Sequence, residues 1–412
     1  MKRGVMMKSV RQFFSYNPNL FFVGTTALAG VSSGLTLAIA TIFLLDRNLS
    51  FFEISIIWGI QLGTAALLEF PTGNFADLFG RRKIFALGIF LMGCGKLLFA
   101  VSYDFWLFGL GALFMGVGYA HTSGALSSWM VDSMTSLGKK EETSKAFASA
   151  AIASSLGGIG GGLFAGLVFK GELWVIFLLA SIVYFIISFL VITCLEENYG
   201  DKTRGKRIGI DALKCLFNSS GLILLSALGI LFLGSLSALT LVWQPAAVEL
   251  GVPKLRLGLL FASCLAFEAL GGLIYRQTAE KLDKRFFLFG CFLLLGIGFF
   301  LSWIYFDLIS LFVMLGLFYI GYGIFFPFFM AWSNELIPSE VRASVVSLLA
   351  MISMGGSILL QVLIGHLIDR FGVPAALISG LLLSTLSVSV ILGALVITRG
   401  KILEKVEENV EL

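Results

Sequence analysis

Between two long apolar runs the chain reads Glu69-Phe-Pro-Thr-Gly-Asn-Phe-Ala-Asp-Leu-Phe-Gly-Arg-Arg-Lys83. It closes on consecutive cations, Arg81, Arg82 and Lys83. Gly80, just ahead of them, lacks a Cβ and can supply the positive φ that a tight reversal needs. Glu69 stands inside the apolar run that precedes the turn. A short basic reversal between runs of about 20 apolar residues is what two antiparallel membrane helices require, because a bilayer's hydrocarbon core is about 30 Å thick.

Outward from this turn the same alternation continues in both directions. Spans are expected at 19–45, 53–76, 84–102, 105–131, 145–168, 173–195, 221–248, 257–276, 286–306, 308–333, 343–366 and 374–398. The 412 residues are 58% hydrophobic and 13% charged, against about 25% charged in soluble domains. So few charges cannot cover an aqueous surface. In lipid every backbone N–H and C=O must be paired internally, which leaves helices or closed barrels. Barrel strands alternate in polarity, whereas 286–305 is apolar on every side. The expected class is therefore an all-α membrane protein. The first run is too long for the core of a signal peptide, about 7–15 residues, and is read as a retained span.

Lysine and arginine are retained in cytoplasmic loops. They crowd one set of connections and leave only Arg47, Lys170, Lys254, Arg256 and Arg370 on the other, with Lys96 alone inside a span. Both termini are expected in the cytoplasm, and the host bilayer to be a plasma (bacterial inner) membrane. The polar stretch 196–220, with Lys202, Arg204, Lys206, Arg207 and Lys214, separates two groups of six spans. These groups echo each other. Glu69, Gly73 and Asp77 recur 199 positions on as Glu268, Gly272 and Arg276, Trp129 and Asp132 recur 203 positions on as Trp332 and Glu335, and the pair Gly157-Gly158 returns as Gly355-Gly356. Two parallel six-helix repeats, 1–195 and 221–412, joined by a linker at 196–220, describe a transporter with its site between the repeats.

The opening stretch resembles the signature loop of the major facilitator superfamily, G-x-x-x-D-x-x-G-R-[RK], with Gly73, Asp77, Gly80, Arg81 and Arg82 at its positions. The resemblance implies two six-helix bundles around a central cavity and a secondary transporter of the drug- or metabolite-exporter type. It also implies a latch in which Arg81 pairs with carboxylates at nearby helix ends, Asp77 and Asp132 here, and which yields when the cytoplasmic side opens. Two positions depart from drug/proton antiporters. Ala112 stands where a fourth-helix arginine is expected, and the fifth helix, with Gly157, Gly158, Gly160, Gly161 and Gly162, lacks the accompanying proline.

Charges inside a bilayer are costly, about 2.5–3.5 kcal/mol on insertion scales, and mark function. Glu69, Glu268, Lys96 and His121 are the candidates for coupling to an ion, expected to be H⁺, and Lys96 is expected to have a carboxylate partner, Glu69 being nearest in depth, or else to reach a headgroup. Local packing roles compete with coupling at each of them. Given the resemblance, the first, fourth, seventh and tenth helices line the cavity, so Thr25, Ser32, Thr36, Tyr119, Ser123, Trp243, Gln244, Tyr319, Tyr322 and Phe325 are substrate candidates. Aromatic walls with scattered hydroxyls suit hydrophobic or amphipathic small molecules. The expected activity is their proton-coupled export. Uptake of a lipid or metabolite on another gradient, or a receptor or scaffold without transport, are the alternatives. Cys94, Cys194, Cys215, Cys264 and Cys291 are isolated, no metal-ligand, nucleotide or nucleophile pattern appears, and neither cofactor, enzyme chemistry nor nucleic acid is expected. Membrane lipids and the substrate are the expected partners of a monomer.

Overall fold

The computed structural model describes residues 11, 13–122, 124–168, 171–199, 208–338 and 341–397, without the side chains of 70–75, 77, 168, 208–210 and 343. Among the described residues regular structure is helical throughout, and twelve helical segments are long and apolar enough to span a membrane. The first predicted span is two helices, α1 (Pro18–Leu37) and α2 (Ala40–Asp46). It breaks at Ile39, φ −133°, ψ 0°. The residues before the break supply the reason: the Thr36 hydroxyl turns back onto the Ser32 and Ser33 carbonyls at 3.2 and 3.4 Å, a bond that bends helices. Next come α3 (Phe51–Phe79), α4 (Arg81–Val101), and α5 (Phe105–Thr122) with α6 (Ala125–Ser136), which share one span. Gly124 joins that pair at φ 74°. The first half closes with α7 (Thr143–Leu163), which runs into a π turn at Phe164–Val168, and α8 (Leu173–Cys194).

The second half starts with a short amphipathic helix inside the expected linker, α9 (Ile208–Asn218). It continues with α10 (Ser220–Glu249), α11 (Leu257–Thr278), α12 (Lys284–Tyr305), α13 (Leu308–Leu336), α14 (Arg342–Phe371) and α15 (Val373–Ile397).

The chain forms two compact units. Unit 1 comprises Met1–Leu49, Ile56–Gly205 and Pro253–Ala262. Its tightest seam is α1 against α7, where glycines on both helices let the backbones touch. A Cβ on Gly34 would stand 2.7 Å from the Gly158 carbonyl carbon, and one on Gly161 2.9 Å from the Leu35 nitrogen. Small residues hold membrane helices together in this way, since lipid supplies no hydrophobic drive between them. Also in unit 1, Lys254 pairs with Asp46 at 2.6 Å.

Unit 2 comprises Ser50–Ser55, Lys206–Val252 and Ser263–Leu412. In it the first turn of α3 docks on α14: the Asp369 carboxylate accepts from the Phe51 and Phe52 amides, both at 2.9 Å, and Gln361 Nε2 donates to the Ser55 carbonyl at 2.8 Å. A carboxylate there meets the positive end of the α3 dipole. Aromatic rings fill the core of unit 2, with Phe232 stacked on Phe325 at 4.1 Å and edge-on to Phe292 at 6.1 Å.

Asp307 caps α13 in a reciprocal box with Ser310, accepting from the Ser310 amide at 2.7 Å. Those backbone donors hold its carboxyl below the ordinary carboxylate range. A group whose folded pKa is depressed stabilises the fold above its unfolded pKa, and that contribution disappears as pH falls through the folded value. We therefore expect Asp307→Ala to unfold at a lower temperature than the parent near neutral pH. The gap should narrow in acid, as read by thermal unfolding in detergent at the two pH values.

Candidate functional site

Two constellations stand out, one at the end of unit 1 that carries the basic loop and one within unit 2. The first is built on the reversal between α3 and α4. Gly80 turns the chain at φ 104°, a conformation that side chains other than glycine adopt only with strain. This aims the Arg81 side chain across at α6, where it pairs with Asp132 and donates to the Ser128 carbonyl at 3.0 Å. Arg81 is buried while the Asp132 side chain is half exposed, so the pair is anchored on one side and hydrated on the other. The side chain of Asp77, its expected partner, and the surroundings of Gly73 lie outside the described residues.

The sequence reading missed the other half of this network. Residues 195–199 after α8, of which 196–199 belong to the expected linker, form a strap over the reversal. The Arg81 amide donates to the Asn198 carbonyl at 3.1 Å and the Arg82 amide to Glu197 Oε1 at 2.8 Å, while Arg82 Nη1 reaches the Leu195 carbonyl at 3.0 Å. Trp129 Nε1 donates to the Glu196 carbonyl at 2.9 Å, and Asn198 Nδ2 returns a bond to the Trp129 carbonyl at 3.1 Å. Glu197 and Asn198 therefore seal the first amides of α4, which would otherwise be orphaned. The available signal was the pair Glu196-Glu197 directly after an apolar run, opposite a basic turn. Beside the strap lies an open cavity of about 920 Å³ lined by Arg11, Tyr16, Asp132, Ser136, Glu197 and Tyr199.

The repeat reaches this chemistry too. In unit 2, Lys284 pairs with Glu335 at 2.5 Å and lies 5.9 Å above the Trp332 ring. Each of these residues stands 203 positions after its counterpart among Arg81, Asp132 and Trp129. A basic residue opening the third helix of each half thus meets a carboxylate closing the fourth.

The second constellation centres on Glu268, half-buried along α11. Its carboxylate, Cys264 and Tyr322 all act electrostatically on the buried Tyr319 phenol of α13. Among the described residues no cation stands within ion-pair distance of Glu268. Close backbone approach makes the arrangement possible: a Cβ on Gly323 would stand 3.0 Å from the Glu268 carbonyl carbon. In unit 1, Glu69 acts in the same way on Tyr119, which is half exposed. Tyr319 follows Tyr119 by 200 positions and Glu268 follows Glu69 by 199, so each half pairs a carboxylate on its second helix with a tyrosine on its fourth.

The remaining candidates scatter. Ser123 lies outside the described residues. Thr25, Trp243 and Gln244 are buried, and Phe325 is packed on Phe232. His121 Nδ1 meets the Val117 carbonyl of its own helix at 2.8 Å, and its Cβ sits against Gly88 of α4. Lys96 corrects the expectation made for it. In place of a carboxylate or a headgroup it meets the Ser32 carbonyl at 2.8 Å, Ser32 Oγ at 3.1 Å and Thr36 Oγ1 at 2.9 Å. The reason is the break after α1, which offers carbonyl and hydroxyl oxygens at the depth where α4 carries its cation. Ser32 and Thr36, expected in the cavity, are thereby taken up inside unit 1.

The sequence model of the Major Facilitator Superfamily matches residues 21–359. The chain belongs to this superfamily. Among curated proteins it is 22% identical over 251 residues to an uncharacterised MFS-type transporter, YxaM, of Bacillus subtilis (strain 168). That match takes in 58% of this chain and 61% of the relative, so the chain spans about three fifths of the length of the curated protein it resembles. Among solved structures, the nucleoside transporter NupG superposes with a TM-score of 0.76 at 15% identity, covering 92% of this chain and 99% of that one. A bacterial homologue of the human lysosomal transporter Spinster, inward-facing and unoccupied, gives 0.71 at 15% identity over 96% and 98%. At these identities the likeness is one of fold. It agrees with the all-helical, twelve-span architecture, and the superfamily sets this multi-pass membrane protein apart from enzymes.

Proposed function

We propose that this superfamily member is a secondary active transporter of hydrophobic or amphipathic small molecules, driven outward by protons, with its basic side in the cytoplasm. The observation that carries this reading is Glu268, a membrane-embedded carboxylate with no cation in reach among the described residues and the Tyr319 phenol within its electrostatic reach. A lone carboxylate in a bilayer is expensive while ionised and cheap while protonated. Its charge state therefore follows access to water, which is the property a coupling group needs. The rings on and against α13 offer apolar surface with phenolic oxygens as the polar handles: Tyr322 lies 5.8 Å from Phe232 and 6.4 Å from the exposed Phe326. Repetition of the pair at Glu69 and Tyr119 supports a role for both halves.

The Glu268→Gln variant keeps shape and hydrogen bonding but holds no exchangeable charge. In proteoliposomes loaded with amphipathic fluorescent dyes, it should lose uphill efflux driven by a pH gradient, by roughly tenfold or more. Downhill exchange should persist. Equal gradient-driven efflux in parent and variant would sink the assignment of Glu268. Uptake on a different ion gradient, or a receptor without transport, would show in the same vesicles as dependence on that ion or as no flux.

A further inference from the structure

Lys96 is 5% exposed, and its ammonium sits where α1 ends. Ser32 Oγ donates its single hydrogen to the Ala180 carbonyl of α8 at 2.9 Å. Thr36 Oγ1 donates its own to the Ser32 or Ser33 carbonyl. Both hydroxyl oxygens therefore face Lys96 as acceptors, and the third partner, the Ser32 carbonyl, is an acceptor only. Three acceptors call for three N–H bonds, which an ammonium has and a neutral amine lacks. The Tyr184 ring, 4.8 Å from Nζ, adds a cation–π contact, and the C-terminal end of α1 adds the negative pole of its dipole. The titratable groups facing the site are few. The first span presents hydroxyls and α8 presents Tyr184, whose hydroxyl lies 3.5 Å from Ser33 Oγ. On α5, His121 stands against Gly88, two turns away along α4. No described carboxylate pairs with Lys96.

From this we infer that Lys96 is a proton switch that fastens the break in the first span to α8. Losing one proton from Nζ to water leaves a lone pair among three acceptors. One of them must then turn into a donor, and the Ser32 hydroxyl does so only by leaving the Ala180 carbonyl, which undoes the bond between α1 and α8. The protonated state is the fastened one, favoured at lower pH. The released state is favoured at higher pH. Discontinuous helices in transporters take up cations at such exposed ends, and here the chain carries its own. The switch deepens the proton-driven reading above and rests on it only for its use in transport.

It is tested without substrate or gradient. Hydrogen–deuterium exchange of amides 36–41 is followed across a pH series, corrected for intrinsic chemistry, in the purified full-length protein in nanodiscs. In the parent, protection should fall on the order of tenfold from the acid to the alkaline end, the effect of a hydrogen bond lost at a hinge. Lys96→Met, which has no lone pair to draw the Ser32 hydroxyl from the Ala180 carbonyl, should show protection that does not vary with pH. Ser32→Ala, which keeps the lysine but removes the hydroxyl that changes partner, should do the same. Parent protection that does not vary with pH overturns the switch, and so does a pH response that survives in Ser32→Ala. Should Lys96→Met fail to fold, the parent and Ser32→Ala series still decide. Vesicle efflux that ignores pH while this exchange titrates would count against proton-driven export and leave the switch standing.

Discussion

Replacing Gly34 with leucine should leave little folded protein in the membrane fraction. Gly34 meets α7 at backbone level, its absent Cβ facing the Gly158 carbonyl, with the Gly158 Cα 2.8 Å away. On the other helix, Gly157 faces the Ala27 carbonyl and Gly161 the Val31 carbonyl, so the seam is glycine on backbone along its length. Backbone cannot rotate aside as a side chain can. A leucine there forces α1 and α7 apart and removes the van der Waals contact that replaces hydrophobic drive inside a bilayer. Overpacking of this kind costs about 3 kcal/mol. The change is read by the yield of monodisperse protein after detergent extraction and by thermal unfolding. Gly160→Ala is the control, since a Cβ at Gly160 meets nothing within 4 Å, and it should behave as the parent. A Gly34→Leu protein as stable as that control would mean the seam is looser than described.

Gly80→Ala should open the strap over the basic turn. Two penalties coincide. The backbone at φ 104° is strained for any residue with a Cβ, by about 1–3 kcal/mol. The new methyl would also stand 2.5 Å from Glu197 Cδ, pushing the carboxylate off the Arg82 amide. Residues 195–199 then lose their hold on α4, and the Arg81–Asp132 pair loses its cover. The expected signature is faster hydrogen exchange in 195–199 and 80–84, with α8 itself unchanged. Transport should fall as well, since the strap and the signature turn share one network. Unchanged exchange in that strap would show that Glu197 does not depend on the turn.

How much of this was readable beforehand follows from the range of each interaction. The spans were legible because hydropathy is a local sum. Repetition of Glu69 at Glu268 was legible because it is a comparison of the chain with itself. The break at Ile39 was not, because no proline or glycine stands at the site and the bend comes from the Thr36 hydroxyl competing for carbonyls. The charge of Lys96 inside a span is legible in the sequence, but its partners are not. Its oxygens come from residues 60 and 64 positions away, and hydroxyls and carbonyls carry no charge for a sequence reader to match. The strap was hidden by the same logic, since a backbone carbonyl at Asn198 capping a helix that begins at Arg81 leaves no mark in composition. Conversely, the Lys284–Glu335 pair was within reach. The shift of 203 that relates Trp129 to Trp332 and Asp132 to Glu335 also relates Arg81 to Lys284, so opposite charges recur at matching positions of the two halves.

The most direct test of the account is efflux from vesicles containing the unaltered protein alone. An amphipathic dye is followed with an imposed pH gradient, with the gradient collapsed by a protonophore, and with the gradient reversed. Dye should accumulate against its own gradient only when protons run the opposite way, with accumulation abolished by the protonophore and reversed in sign with the gradient. Dye movement at the same rate under all three conditions, or none beyond that of empty vesicles, would contradict it.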